Sequence, residues 1–305
     1  MARDAMRCDV LQPSVRGDGV MVSNVAKLTT VGDDAPPVEL DGREDEWMIA
    51  TLYEIPSKLI NTVDEHVVKH ISGLLSEAGV PSFLWGDYVL TIFGVPSIIG
   101  GIDFVVPDDE LPTAIAVLKN AGLKLCPDPK LCFVSRKERR SPVPVFHMHI
   151  HEQDVSISLR AHSKTLWFAP TPGGAEPAWQ SYYISASDAS LPKPRLGRGH
   201  GALSPDGPKV LIPRAHVLLE AYIRLISALR DDFATFFISM TIYMEEYVAP
   251  DGLIDDNLLS KPCRDFWDES REARRPMIQL LDELQLALND ARTGDRGGVW
   301  SAGAK

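Results

Sequence analysis

Apolar residues recur at helical spacing at Ile60, Val63, Val67, Ile71 and Leu74, and Gly79 with Pro81 closes the run, so a helix is expected from about Ser57. The period then changes. The stretch SFLWGDYVLTIFGVPSIIGGIDFVVP, Ser82 to Pro107, predicts a short strand, a tight Gly-Asp turn and one or two turns of helix. A Gly/Pro/Ser loop and a second strand with a lone aspartate complete it. Leu111, Ile115 and Leu118 mark a helix from Asp108 to Ala121, stopped at Gly122. Short strands are expected at Leu123 to Cys126 and Leu131 to Ser135. A hairpin follows, Val145 to His151 against Asp154 to Ala161, turning at Glu152-Gln153.

Beyond Thr171 the pattern thins. Thr171 to Pro213 is dense in Pro, Gly and Ser and predicts a long loop, either a functional flap or a surface excursion. The remainder is helical. Pro213 suits the first turn of a helix to about Leu229, and a second helix covers Asp232 to Tyr247. A third runs from about Arg264 to Ala291, with Pro276 interrupting it or marking a restart. The expected organisation is a flexible acidic leader (1–46), an α/β core (47–170), the loop (171–212), a helical region (213–292) and a flexible tail (293–305). The fold class is α/β (α+β), a mixed sheet flanked by helices with an α-helical C-terminal region.

Strand parity sharpens this picture. Side chains alternate across a strand, so Ile102, Phe104 and Val106 share an apolar face while Asp103 points the other way. A two-residue hairpin turn pairs His151 with Asp154, His149 with Ser156 and His147 with Ser158. Phe146, Met148, Ile150, Val155, Ile157 and Leu159 then line the apolar side. The opposite side carries His147, His149, His151, Asp154, Ser156, Ser158 and Arg160. This polar face is either a sheet surface open to water or, with Asp103 on a neighbouring strand, the floor of a cleft. A different turn length would flip one strand and break the pattern.

Composition narrows the function classes. Across 305 residues, 45% hydrophobic and 24% charged content is ordinary for a soluble globular protein. A formal net charge of -11 argues against a broad nucleic-acid surface, though not against a small phosphorylated ligand in a local pocket. Four scattered cysteines (Cys8, Cys126, Cys132, Cys263) form no C-x-x-C pair and suggest free thiols in a reducing, cytoplasmic setting. The N-terminus lacks the apolar core of a secretory signal. The apolar stretch Phe233 to Met244 is shorter than the roughly 20 residues that span a bilayer, so no membrane association is expected.

The Ser82 to Pro107 signature resembles the nucleotidyltransferase-fold superfamily, the DNA polymerase beta-like proteins. The core from about residue 55 to 170 carries the likeness, and VLIPRAHVLLEAYIRL looks like the first helix after the core in longer members. In style the chain is similar to uncharacterised fungal proteins. In that family a glycine turn holds a triphosphate, and two aspartates one residue apart bind divalent metal with a third carboxylate nearby. The resemblance assigns Gly86 and Asp87 to the turn, and Ser97 and Ile99 to the loop positions usually held by arginine and threonine. Gly101 stands at the first aspartate and Asp103 at the second. The third carboxylate is Asp154, or the role is empty with Ser156 in its place. If the chain is active, Asp103 and Asp154 are its catalytic metal ligands and Mg²⁺ or Mn²⁺ its cofactor.

Three features weaken that chemistry. Mg²⁺ depends on anionic oxygen ligands, and one carboxylate replaces two. Asp87 in the turn would repel a triphosphate unless it coordinated metal or turned away, and Ser97 lacks the charge of an arginine. The expectation is a pseudoenzyme-like cleft for a nucleotide or phosphorylated small molecule, with nucleotidyl transfer weak or lost.

Two alternatives stand beside it. One is a noncatalytic interaction or scaffold protein on the same fold. The other is a metal-dependent hydrolase in which His147, His149 and His151 bind Zn²⁺ with Asp103 or Asp154. Basic residues at Arg136, Lys137, Arg139 and Arg140, and at Lys193, Arg195, Arg198 and His200, either steer phosphate or belong to solvated turns. Phe233, Phe236, Phe237, Tyr243 and Tyr247 are expected in helix packing.

Overall fold

Five strands form a mixed sheet in the order β1-β2-β5-β4-β3. They are β1 (Phe83–Trp85), β2 (Gly101–Val106), β3 (Lys124–Leu125), β4 (Phe146–His149) and β5 (Ser156–Ala161). β2 and β5 run parallel, and every other pairing is antiparallel. A parallel pair needs a long crossover. Here that crossover holds a helix and two further strands. The computed structural model describes residues 64–136, 141–149, 156–173 and 178–295. All lie within the unit Asp45–Lys305. The expected leader, the start of the first helix, the hairpin turn at Glu152-Gln153 and most of the expected tail lie outside the described residues.

The hairpin register is the one that parity predicted: Phe146 opposes Leu159, His147 opposes Ser158, and His149 opposes Ser156. On one face Ile102, Phe104, Met148, Ile157 and Leu159 are all buried. They join Val67, Val68 and Ile71 of α1 (Glu65–Glu77) and Ala114 and Leu118 of α3 (Leu111–Asn120) in one core. Asp64 caps α1, its carboxylate accepting from the backbone N–H of His66 and Val67 at 3.0 and 3.1 Å. Between β1 and β2 lie the six-residue α2 (Asp87–Ile92) and the loop that follows it.

Seven α-helices occur among the described residues. The C-terminal four are α4 (Ala215–Ala228), α5 (Ala234–Tyr243), α6 (Lys261–Glu272) and α7 (Met277–Asp295). α4 is buried along most of its circumference, as expected of a central helix in a helical layer. None of the described helices is long and apolar enough to cross a membrane.

Several local expectations change. Leu131 to Ser135 is not a strand: Asp128 turns the chain by accepting from Lys130 and Leu131 N–H, and Phe133–Ser135 is a 3-10 turn. The Pro/Gly-rich segment contains β6 (Tyr183–Ser185), which pairs with β7 (Leu211–Pro213). Pro213 therefore ends a strand, and α4 begins after Arg214. The last expected helix does restart at Pro276, as anticipated, and a left-handed Ala273 ends its first part. The second continues from α5 into a π-helical turn, Met244–Val248.

The rest of the segment before β7 docks on both halves of the fold. Gly199 and Gly201 donate backbone N–H to Gly94 and Thr91 carbonyls at 3.0 and 2.9 Å. Arg198 Nε donates to the Gly94 carbonyl at 2.8 Å, and its Nη2 reaches Asp251 at 2.8 Å. Arg195 pairs with the same Asp251.

Candidate functional site

The polar face of the sheet is buried. Ser156, Ser158, Arg160 and His147 are each 9% exposed or less, which excludes a face merely open to water. The parallel register aligns Gly101 with Ser156, Asp103 with Ser158, and Val105 with Arg160. On the other side of β2, Trp85 opposes Asp103. Of these residues Trp85, Asp103 and Arg160 line a cleft, together with Gly86, Asp87, Ser141, Pro142, Lys164, Thr165, Tyr222, Phe236 and Phe237.

Gly86 and Asp103, matched to the resemblance by sequence alone, are neighbours. Gly86 has φ +75°, a conformation that side chains rarely adopt, and a Cβ there would lie 3.4 Å from Asp103 Oδ2. Asp103, however, is taken. Arg160 Nε donates to its Oδ2 at 2.6 Å, and Arg160 Nη1 donates to the Pro142 carbonyl at 2.9 Å. The two side chains are 15% and 10% exposed, so the pair is well shielded from water.

Position 101, where the resemblance implies an aspartate, has no room for a side chain. A Cβ at Gly101 would lie 2.7 Å from the Ser156 carbonyl oxygen and 2.8 Å from Ser156 Oγ. β2 and β5 approach too closely there for any side chain without a backbone shift. Among the described residues lining the cleft, Asp87 and Asp103 are the carboxylates. A two-metal site does not fit this donor set: position 101 has no room, and a guanidinium already neutralises Asp103. Asp154, the candidate third carboxylate, lies outside the described residues, and Ser158 occupies the register position beside Asp103.

The walls combine cations with aromatic rings. Lys164 ends a 3-10 turn, His162–Lys164, pinned to the end of β2. Ser163 donates its backbone N–H and hydroxyl to the Asp108 carboxylate at 3.0 and 2.5 Å. Burial pushes the Asp108 carboxyl up, but those bonds prevail and hold it below the usual carboxylate range. Tyr222 of α4 and Phe236 and Phe237 of α5 also line the cleft. Trp85 meets Tyr222 edge-on at 5.7 Å, and Phe237 lies 6.0 Å from the same ring. Packing was the expectation for Phe236 and Phe237, yet they also face the cleft.

Other candidates lie elsewhere. Ser97 is not among the residues lining the cleft. Arg195 and Arg198 are committed to Asp251, away from any phosphate site in the cleft. Lys137, Arg139, Arg140 and His151 lie outside the described residues. His147 and His149 gather with Cys126 and Cys132 rather than with Asp103. The cleft residue that sequence reasoning placed on the polar face without a role is Arg160. Its signal was parity, two positions beyond Ser158 on the face of Asp103.

No protein-family model and no curated protein matches the chain. Its fold is similar to a solved structure of the antibiotic-resistance factor ANT(2'')-Ia, described as revealing substrate-regulated conformation dynamics. The two chains are 12% identical with a TM-score of 0.35, over 76% of this chain and 94% of that one.

Proposed function

We propose that this is a divergent nucleotidyltransferase-fold protein whose cleft binds a nucleotide or another phosphorylated small molecule without two-metal nucleotidyl transfer. The observation that carries the reading is the Arg160–Asp103 pair beside Gly86. It puts a fixed guanidinium where the family resemblance implies metal ions. Arg160 and Lys164 supply positive charge for a phosphate, and a guanidinium can be shared between a carboxylate and a phosphate oxygen. Trp85 and Phe236 offer apolar surface for the remainder of the ligand. Binding under this reading does not depend on divalent metal, because the protein's own cations perform the neutralisation.

Calorimetric titration with the four nucleoside triphosphates and with pyrophosphate, each with Mg²⁺ and with EDTA, tests this. Saturable binding that survives EDTA and weakens at least tenfold in Lys164→Ala is expected, since loss of one charge-assisted contact costs about 1.5–3 kcal/mol. Silence across the panel, or binding indifferent to Lys164→Ala, would exclude the cleft as a phosphate site.

A further inference from the structure

Away from the cleft residues, the chain gathers four soft donors at one point. Cys126, Cys132, His147 and His149 each place one ligand atom within 4.8 Å of all the others. Cys132 Sγ lies 3.3 Å from His147 Nε2 and 3.4 Å from His149 Nε2. The histidine rings stand 5.3 Å apart at 84°. Zinc bonds of about 2.3 Å to sulfur and 2.0–2.1 Å to nitrogen, set at tetrahedral angles, give donor-to-donor edges of roughly 3.3–3.8 Å. The two Cys132-to-histidine edges, 3.3 and 3.4 Å, lie just inside the roughly 3.5 Å of a sulfur–nitrogen edge, so only a small outward shift would seat the ion.

The fold explains why these residues meet. His147 and His149 share a face of β4 by the alternation of a strand. Lys124 and Leu125 of β3 oppose His149 and Met148, so Cys126, the next residue, continues toward His147. Cys132 arrives from the other end of a short loop. Its backbone N–H donates to the Asp128 carbonyl at 2.9 Å, and it opens the 3-10 turn Phe133–Ser135. Four ligands from three separate pieces of backbone thus converge on one face of the sheet.

The surroundings point to the same ion. Among its described residues the segment from β3 to β4 has little apolar core of its own: Leu125, Leu131, Phe133, Val143 and Val145 are all exposed, and Val134 is buried. A piece of chain that buries so little needs another source of order, and a bound metal is the common one in such elements. Two thiolates with two imidazoles select a borderline-soft ion over Mg²⁺ or Ca²⁺. No carboxylate belongs to the group, and four protein donors leave no open coordination position.

We propose that Cys126, Cys132, His147 and His149 form a closed, structural Zn²⁺ site that fastens the β3–β4 segment to the sheet. Asp103, held by Arg160, is not among the ligands. The site stands independently of the phosphate reading of the cleft. It does touch that cleft indirectly, because the same segment carries Pro142, whose carbonyl receives Arg160.

The test is metal analysis of the full chain, purified untagged under reducing conditions and dialysed without chelator. One zinc per chain is expected, with Cys132→Ser and His149→Ala falling to near zero while Cys8→Ser and His151→Ala keep it. Replacement by Co²⁺ should give the intense visible bands of a tetrahedral thiolate site. Should Cys132→Ser fail to fold, the wild-type chain supplies a second readout: chelation should lower its Tm, and added Zn²⁺ should restore it. A wild-type chain that carries no zinc and binds none when reduced would overturn the proposal. So would zinc retained in Cys132→Ser but lost in His151→Ala.

Discussion

Arg160 and Asp103 form a shielded ion pair at 2.6 Å across the parallel strands β5 and β2. Removing one member of such a pair strands the other charge in a poor solvent for it. Asp103→Ala is therefore expected to cost about 3–5 kcal/mol, while Asp103→Leu combined with Arg160→Met recovers most of that loss. Urea denaturation of the single and double variants checks this. A cost for Asp103→Ala below about 1 kcal/mol would place the pair with exposed salt bridges instead.

Placing an aspartate at position 101, two residues before Asp103, should not create a metal site. A side chain at position 101 meets the Ser156 carbonyl at 2.7 Å, so Gly101→Asp must move backbone. The expected result is about 1–3 kcal/mol of destabilisation and no gain of nucleotidyl transfer, the scale of overpacking elsewhere. Thermal melting and a pyrophosphate-release assay measure the two halves of that statement. A stable Gly101→Asp variant with new turnover would contradict it.

Glu65 ties α1 to the segment before β7, accepting from Ser204 N–H at 2.8 Å and pairing with Lys69 at 2.5 Å. Burial works against its charge, yet the Lys69 and Ser204 bonds win and hold its carboxyl below the ordinary range. A carboxyl depressed in the folded state contributes stability above its unfolded value, about 4.3, and loses it as pH falls through the folded value. Denaturation curves between neutral and acid pH should thus be flatter for Glu65→Gln than for the wild-type chain. Parallel curves would refute the linkage.

Cys263 sits buried in the helical layer, and burial pushes its thiol up to about 12. At neutral pH it should resist alkylation in the folded chain and react only after denaturation. Peptide mapping by mass spectrometry reads this directly. Rapid labelling of native Cys263 would be the contrary result.

Much of the local architecture was legible because it is local. The two-residue period of β4 and β5 set which side chains share a face, and the proposed hairpin register placed His147 against Ser158, as found. What the period could not convey was the parallel pairing of β2 with β5. That contact joins residues far apart in the chain, and only it turns Arg160 into the partner of Asp103. The grouping of Cys126 and Cys132 with two histidines was hidden for a related reason. It depends on the Asp128 turn, in a stretch whose apolar residues imitate a strand. Ser97 was assigned by alignment to a family position, and loop residues carry no periodic signal that could correct such an assignment.

The docked segment before β7 bears on where the chain tolerates a break. Arg198, Gly199 and Gly201 hold it to the α2 region, and Arg195 and Arg198 hold it to Asp251. Leu196, between those anchors, is fully exposed. Covalent continuity at that point is therefore redundant with the bonds on either side. New termini or an inserted reporter at Leu196 would leave both flanks fastened, making this the natural place to divide the molecule into two complementing fragments.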